Sequence, residues 1–398
     1  MNNILGGKKN KKYVDWTLLF VVFFLLAFGL VMVYSTSSYS ASLSFDGDSK
    51  YYLKRQLISV GVGCVALIIT CILPYQLYQK LYKFTFWIAA GSILLILSPL
   101  GYSANGASRW LRFGPISIQP SEICKTCVII FTAALLAKMG PKVRAGWKGF
   151  FFPMIPTGIL CLMIWKITDN LSSAIIIGFI PLFMIFVAEK KNLWPVIVLT
   201  LFLAVCMFVV LFVVKGWLPA SISFRLERIL AWLDPEMYAD GKGMQILQSL
   251  YGIGSGGIWG KGLGKSVQKL GFLPEAQNDM IFSIICEELG IAGGLAIMVA
   301  FMLLLFRLRT ITVYSKSYFG NLLITGVFVH IALQVILNIC VVTNTIPNTG
   351  VSLPFISYGG SSVIFLMAEI GMCINVGKGI SFAEEISNEE KEKSSTAD

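Results

Sequence analysis

Only 13% of the 398 residues are charged, and the whole chain holds a single histidine. A soluble protein of this length would carry roughly a quarter charged residues. With 56% of its residues apolar, the chain has more hydrophobic side chain than one aqueous core can hide, and a bilayer can take the excess. The lone histidine, His330, lies inside an apolar run. A packed, hydrogen-bonded imidazole is expected there, which argues against a His-activated nucleophile. Clustered cysteines are also lacking: nine are scattered singly, nearly all inside apolar runs, so no disulfide framework is expected. Cys124 and Cys127 match C-x-x-C within an apolar helix and have no second pair, which favours small core residues over a metal or redox site. No strong internal repeat is visible, which weakens an inverted-repeat transporter. No basic stripe is interleaved with aromatics, so the formal charge of +11 does not signal nucleic-acid binding.

What is present is a series of apolar runs near the length of about 20 residues that one membrane crossing needs. They fall near 16–35, 56–74, 84–100, 120–138, 150–167, 171–188, 193–214, 280–306, 319–340 and 359–377. The first is too long for a signal peptide and is expected to stay in the mature protein. Lysine and arginine concentrate in the N-terminal tail (Lys8, Lys9, Lys11, Lys12) and in alternate loops: Lys80 and Lys83; Lys138, Lys142, Arg144 and Lys148; Lys190 and Lys191; Arg307, Arg309 and Lys316. The positive-inside rule puts both ends in the cytoplasm, Lys378 included. The expected fold is an all-α polytopic membrane protein of about ten transmembrane helices with one long structured extracytoplasmic loop. Residues 1–15 are a basic cytoplasmic tail, 16–380 the membrane domain, and 381–398 a polar, charged tail without aromatics that reads as disordered.

Four outer segments remain: 36–53, 101–119, 215–279 and 341–358. The third is too long to be structureless in a compact protein and is expected to be functional. From Ser221 to Leu233, Ile222, Leu226, Ile229, Leu230 and Leu233 share one helical face, which suggests a helix lying flat on the outer leaflet until Asp234-Pro235 ends it. Residues 244–251 suggest a second short helix. Seven glycines follow between Gly252 and Gly264. Gly252, Gly254 and Gly257 satisfy G-x-G-x-x-G, but no βαβ unit surrounds them, so a dinucleotide site is excluded. Lys261, Lys265 and Lys269 recur every fourth residue beside these glycines. The segment is either a solvated loop or a site for a phosphate or pyrophosphate.

Acidic residues are few and oddly placed. Glu275 and Asp279 precede an apolar run, where Asp279 either caps a helix or meets a lipid head group at the water–lipid boundary. Glu287, Glu288 and Glu369 lie inside runs, where ionisable groups are costly and functional by default. The sequence names no partner for Glu369. Glu122 and Lys125 are one turn apart and can neutralise each other; Arg109 and Arg112 flank Trp110 just before them.

Taken in order, these segments resemble the SEDS proteins (shape, elongation, division and sporulation), the FtsW, RodA and SpoVE group. The resemblance rests on Asn105-Gly106-Ala107-Ser108-Arg109-Trp110, Gln119-Pro120-Ser121-Glu122 with Lys125, Arg225 and Arg228, Leu233-Asp234-Pro235, and Gln248-Ser249. It continues through Gly260-Lys261-Gly262-Leu263-Gly264 with Ser266-Val267-Gln268-Lys269, Leu273-Pro274-Glu275-Ala276, Asp279, Glu287-Glu288-Leu289-Gly290, and Leu353-Pro354-Phe355-Ile356-Ser357-Tyr358-Gly359-Gly360-Ser361-Ser362. It departs from the family at Asp169-Asn170-Leu171-Ser172-Ser173-Ala174 and at Gln277-Asn278. The outer loops look closer to division and sporulation members than to elongation members.

The resemblance implies a ten-span peptidoglycan glycosyltransferase that polymerises lipid II into glycan strands. It also implies a class B penicillin-binding protein as partner, alongside other membrane proteins of the division machinery. The family's essential aspartate corresponds to Asp279. The substrate-binding candidates are Arg109, Glu122, Lys125, Lys261, Lys269, Glu275, Ser357 and Ser361; no metal ligand is assigned. The residues suit this chemistry independently. Transfer from a sugar pyrophosphate needs cations, or a divalent ion such as Mg or Mn, for the departing charge. It needs one base for the acceptor hydroxyl and no glycosidase-like carboxylate pair. The rival expectations are a lipid II flippase and a non-catalytic division scaffold.

Overall fold

The computed structural model describes residues 14–104, 107–113, 116–189, 191–215 and 224–378. Residues 1–13 of the basic tail, Asn105-Gly106, Gly114-Pro115, Lys190, the start of the long loop at 216–223 and residues 379–398 lie outside the described residues, as do the side chains of Ser108, Arg225 and Leu226. Helices α1 (Trp16–Ser44), α2 (Tyr51–Ile72) and α3 (Tyr75–Leu94) lead into a small sheet of β1 (Gly101–Ala104), β2 (Ala107–Phe113) and β3 (Ile116–Ile118). Next come α4 (Pro120–Lys138), α5 (Pro141–Ala145), α6 (Trp147–Thr168), α7 (Leu171–Ala188) and α8 (Trp194–Val214). After them follow α9 (Phe224–Leu233), α10 (Lys242–Gly256), α11 (Ile281–Tyr314), α12 (Tyr318–Val342) and α13 (Gly360–Gly377). Among the described residues ten helices are long and apolar enough to cross a membrane: all but α5, α9 and α10. The chain is therefore a multi-pass membrane protein. Each expected run lies within or across one of these helices; α3 starts earlier than its run, and α1 and α11 extend beyond theirs.

Local chemistry sets the ends. Asp15 caps α1 by accepting from Leu18 N at 2.9 Å, and its other oxygen takes Arg307 of α11 at 2.7 Å, tying the first helix to the eighth span. Asn170 caps α7 through Ser173 N, and Ser317 caps α12 through Gly320 N. Proline opens α4, where its missing N–H is harmless. α4, α12 and α13 are the inner helices, whereas α8 buries almost nothing within the chain.

The structure adds detail in two outer segments. The 101–119 segment, read from sequence only as an outer loop, carries a small sheet: β1, β2 and β3 pair antiparallel in sequence order, with Tyr102 opposite Trp110 and Leu111 opposite Ile118. The strands are too short for alternation to declare them, and among their described side chains only Leu111 is deeply buried. The glycine run, in turn, is exposed along much of its length, yet its backbone is docked onto α11. α11 breaks its helical geometry at Gly290, whose φ is +73°. Such a break frees backbone groups, and the glycine run supplies their partners. Lys261 N and Gly262 N donate to the carbonyls of Glu287 and Glu288, while Ile291 N donates to Gly257 O. The approach demands glycine on both sides. A Cβ at Gly260, itself at φ +80°, would stand 2.2 Å from Glu288 O, and one at Gly290 would stand 2.1 Å from Ile258 O.

Candidate active site

Asp279 ends the long loop, two residues before α11. It does not cap that helix: Met280 occupies the N-cap position and no side chain bonds there. The capping reading therefore fails, and Asp279 sits in a turn rather than on the rigid helix. Its rigidity comes from elsewhere. Asn338, fully buried on α12, donates through Nδ2 to Asp279 O at 2.7 Å and to Val351 O at 2.8 Å, clasping two segments at once. Oδ1 of Asp279 is buried and has no hydrogen-bond partner among the described residues. On the other side Gly350, at φ +68°, lies close: a Cβ there would be 3.8 Å from Asp279 Oδ2. Burial pushes the Asp279 carboxyl up to about 7, Glu275 pushes it further the same way, and Arg228 opposes both.

The surrounding loops are tied together by backbone carbonyls. Arg228 of α9 donates to Asn348 O at 3.2 Å, and Asn348 Nδ2 donates to Gln245 Oε1 of α10 at 2.7 Å. Gln245 in turn donates to Pro274 O, next to Glu275. Glu275 stands in left-handed backbone at φ +54° and accepts a short bond from Asn278 Nδ2. Arg109 of β2 donates to Thr168 O at 3.2 Å and Asp169 O at 2.9 Å, in the turn between α6 and α7. One residue into α7, Ser172 Oγ donates to Thr349 O at 2.6 Å. Arg109, Ser172, Gly350 and Asp279 thus belong to one hydrogen-bonded rim. Beside Glu275, Tyr52 and Tyr358 meet edge to face at 5.0 Å, with Arg55 stacked 4.8 Å over Tyr51.

Other expected site residues lie in separate arrangements. Lys261 Nζ meets Glu287 Oε1 at 2.7 Å, and Glu287 also accepts from Ser266 Oγ, Val267 N and Gln268 N. Lys269, buried, meets Glu288 Oε1 at 2.9 Å and Ser35 Oγ of α1 at 3.1 Å. Both lysines are thus neutralised by the kinked part of α11. Glu122 and Lys125 form a 2.7 Å pair buried in the bundle, with Glu122 Oε2 left without a partner among the described residues. Ser357 Oγ accepts from Leu353 N at 2.8 Å inside the loop before α13, and Ser361 Oγ of α13 accepts from Gln119 N at 3.2 Å, bracing the start of α4. Glu369, partnerless in sequence, meets Thr126 and His330, and His330 is the packed, hydrogen-bonded residue expected. Sequence reasoning passed over two residues: Asn338, which no local pattern marks, and Arg228, which appeared only as part of a motif.

Comparison with known proteins agrees with this architecture. The family model for FtsW, RodA and SpoVE, described as a cell cycle protein, matches residues 16–380. A Trichlorobacter lovleyi protein called probable peptidoglycan glycosyltransferase FtsW is 37% identical over 370 residues, spanning 93% of this chain and 94% of its own length. Stage V sporulation protein E of Bacillus subtilis is 36% identical over 367 residues, spanning 92% and 97%. Among solved structures, a chain described under structural coordination of polymerization and crosslinking by a peptidoglycan synthase complex superposes with TM-score 0.72 at 26% identity, over 92% of this chain and 98% of that one. The rod shape determining protein RodA of Thermus thermophilus shares the fold with TM-score 0.62 at 24% identity, over 92% and 97%.

Proposed function

This chain belongs to the FtsW/RodA/SpoVE family of cell cycle proteins, and from that premise we propose that it is a peptidoglycan glycosyltransferase. It polymerises lipid II into glycan strands at the outer face of the bacterial cytoplasmic membrane, in division or sporulation septum synthesis. The observation that carries the reading is Asp279. Its carboxyl has one buried oxygen with no partner among the described residues, is anchored through its backbone by Asn338, and stands at the membrane end that the charge bias assigns to the outside.

In this reading Asp279 takes the proton from the acceptor's 4-hydroxyl as that oxygen attacks the donor's anomeric carbon. The C–O bond to undecaprenyl pyrophosphate breaks in the same displacement, inverting the anomeric centre. Arg228, whose charge reaches Asp279, and Arg109 on the same rim meet the departing pyrophosphate. Lys261 and Lys269 hold the wall of the site through Glu287 and Glu288, and they reach substrate only by leaving those carboxylates. A resident divalent ion fits poorly, since no three His, Cys, Asp or Glu side chains group to hold one among the described residues. Mg or Mn would be carried by the donor's own pyrophosphate.

A class B penicillin-binding protein would cross-link the strands. The similar solved chain, described within a peptidoglycan synthase complex, supports that partnership. The purified chain with that partner and labelled lipid II should yield long glycan ladders. Movement of label across vesicles without polymer would replace this reading with a flippase, and neither result would leave a scaffold.

A further inference from the structure

The reaction as described leaves unused the outer corner where α1 turns into α2. Left-handed backbone at Asp46 (φ +48°) and Gly47 (φ +86°) bends the chain back, and Asp48 N donates to Phe45 O at 2.8 Å across the turn. Phe45 therefore stacks on Tyr51, with ring centroids 3.6 Å apart. Tyr51 and Tyr52 open α2, and Arg55, one turn after Tyr51, lies 4.8 Å over its ring. Tyr52 meets Tyr51 edge to face at 5.5 Å and Tyr358 at 5.0 Å, so the rings form a ladder from this turn to the segment before α13. Phe45, Tyr51, Tyr52 and Tyr358 are half-buried, and Arg55 is exposed. Tyrosines at this level can simply anchor a helix in the lipid interface. This ladder faces the other way. Gln56, one turn after Tyr52, is buried; its Nε2 donates to Ser357 O at 3.3 Å and its Oε1 accepts from Gly359 N at 3.2 Å. The lipid side of α2 carries the exposed Leu57 and Ile58 instead. The far end of the ladder is tied to the loop of Asp279: Tyr358 N donates to Gln277 O at 2.9 Å, and the charge of Glu275 reaches both Tyr52 and Asp279.

We propose that this ladder is a subsite for the glycan strand, holding sugar rings already joined while Asp279 acts on the next linkage. The proposal rests on the polymerase reading. A β-linked pyranose presents C–H groups on its faces and oxygen atoms around its edge. The C–H faces suit the electron-rich faces of tyrosine rings. The edge needs hydrogen-bond partners, which the tyrosine hydroxyls, Arg55 and Glu275 can supply. Arg55 also suits the carboxylates of the peptides that the strand carries. A strand held by the reacting sugars alone would be free to leave after every linkage. Stacking holds it without fixing it, because each sugar offers a similar face and the contact tolerates sliding by one unit. A pocket of buried, directional hydrogen bonds would resist that step, since each bond must break before the strand advances.

Tyr52→Leu combined with Tyr358→Leu keeps apolar volume at both places and removes the rings. In the complex with the transpeptidase and labelled lipid II, strand length is compared at a matched total of linkages, so that a loss of active protein alone does not move it. The double leucine variant should spread the same linkages over strands roughly three- to ten-fold shorter. Tyr52→Phe combined with Tyr358→Phe should restore the wild-type length. Wild-type length from the leucine variant, or equally short strands from the phenylalanine variant, would overturn the proposal. A soluble β-1,4-linked N-acetylglucosamine tetramer reads the subsite without catalysis. Saturation-transfer NMR should show its ring protons in contact with the wild-type complex, beyond any contact with the transpeptidase alone, and this contact should be lost in the leucine variant. No transfer from the wild-type complex, or equal transfer from both, would overturn the proposal. A wild-type complex that binds the tetramer and makes no polymer would instead mean that the polymerase reading has failed.

Discussion

Burial holds the Asp279 carboxyl near neutrality, with Glu275 adding to the shift. A base must be ionised to act, so a group titrating at about 7 is active above that pH and progressively lost below it. Polymerisation by the purified complex should fall about ten-fold per unit once the pH drops below this value. A flat profile down to pH of about 5 would mean that Asp279 is not the titrating base. Asn338 acts through Asp279 rather than on substrate. Asn338→Leu removes both donors of the clasp, leaving the carbonyl of Val351 buried and unsatisfied and that of Asp279 without its partner. It should destabilise the fold by about 2–4 kcal/mol, measured by thermal unfolding in detergent. Asp279 was legible from its place before an apolar run and from the family resemblance. Asn338 was not, because its clasp spans 59 positions and an asparagine in an apolar helix carries no signal of what it will meet.

At the scale of elements, the kink of α11 and the glycine run form one unit. Gly260→Ala would drive a methyl onto Glu288 O in a backbone that already disfavours side chains. A loss of about 2–4 kcal/mol is expected, with activity falling alongside stability. Lys269 tests whether this unit is structural. Lys269→Met alone strands the fully buried Glu288 and should cost about 3–5 kcal/mol. Lys269→Met with Glu288→Gln should regain most of that stability. If the double variant also polymerises, Lys269 braces the wall; if it folds and is inactive, Lys269 contacts the pyrophosphate. Sequence reasoning saw both the glycines and the lysines and pointed them at a phosphate. It could not show that a break at Gly290 creates backbone groups only that loop can satisfy, because helix breaks leave no mark beyond one glycine.

For the molecule as a whole, hydropathy and charge bias carried the architecture: ten spans fall where the apolar runs lie, since a bilayer imposes length and composition on every crossing. The small sheet at 101–118 escaped that reading because it lies outside the bilayer's constraint. Sidedness is open to direct test. In a background without reactive native cysteines, a cysteine at Ser255 should react with an impermeant probe from outside, and one at Lys191 should not; outside labelling at Lys191 would undo the topology. The central claim is that Asp279 performs the chemistry. Asp279→Asn keeps the size of the side chain and the Asn338 clasp on the backbone but loses the base. Purified with its transpeptidase and given labelled lipid II, this variant should fold, bind its partner and make no glycan strands; substantial polymer from a well-folded Asp279→Asn complex would contradict the account.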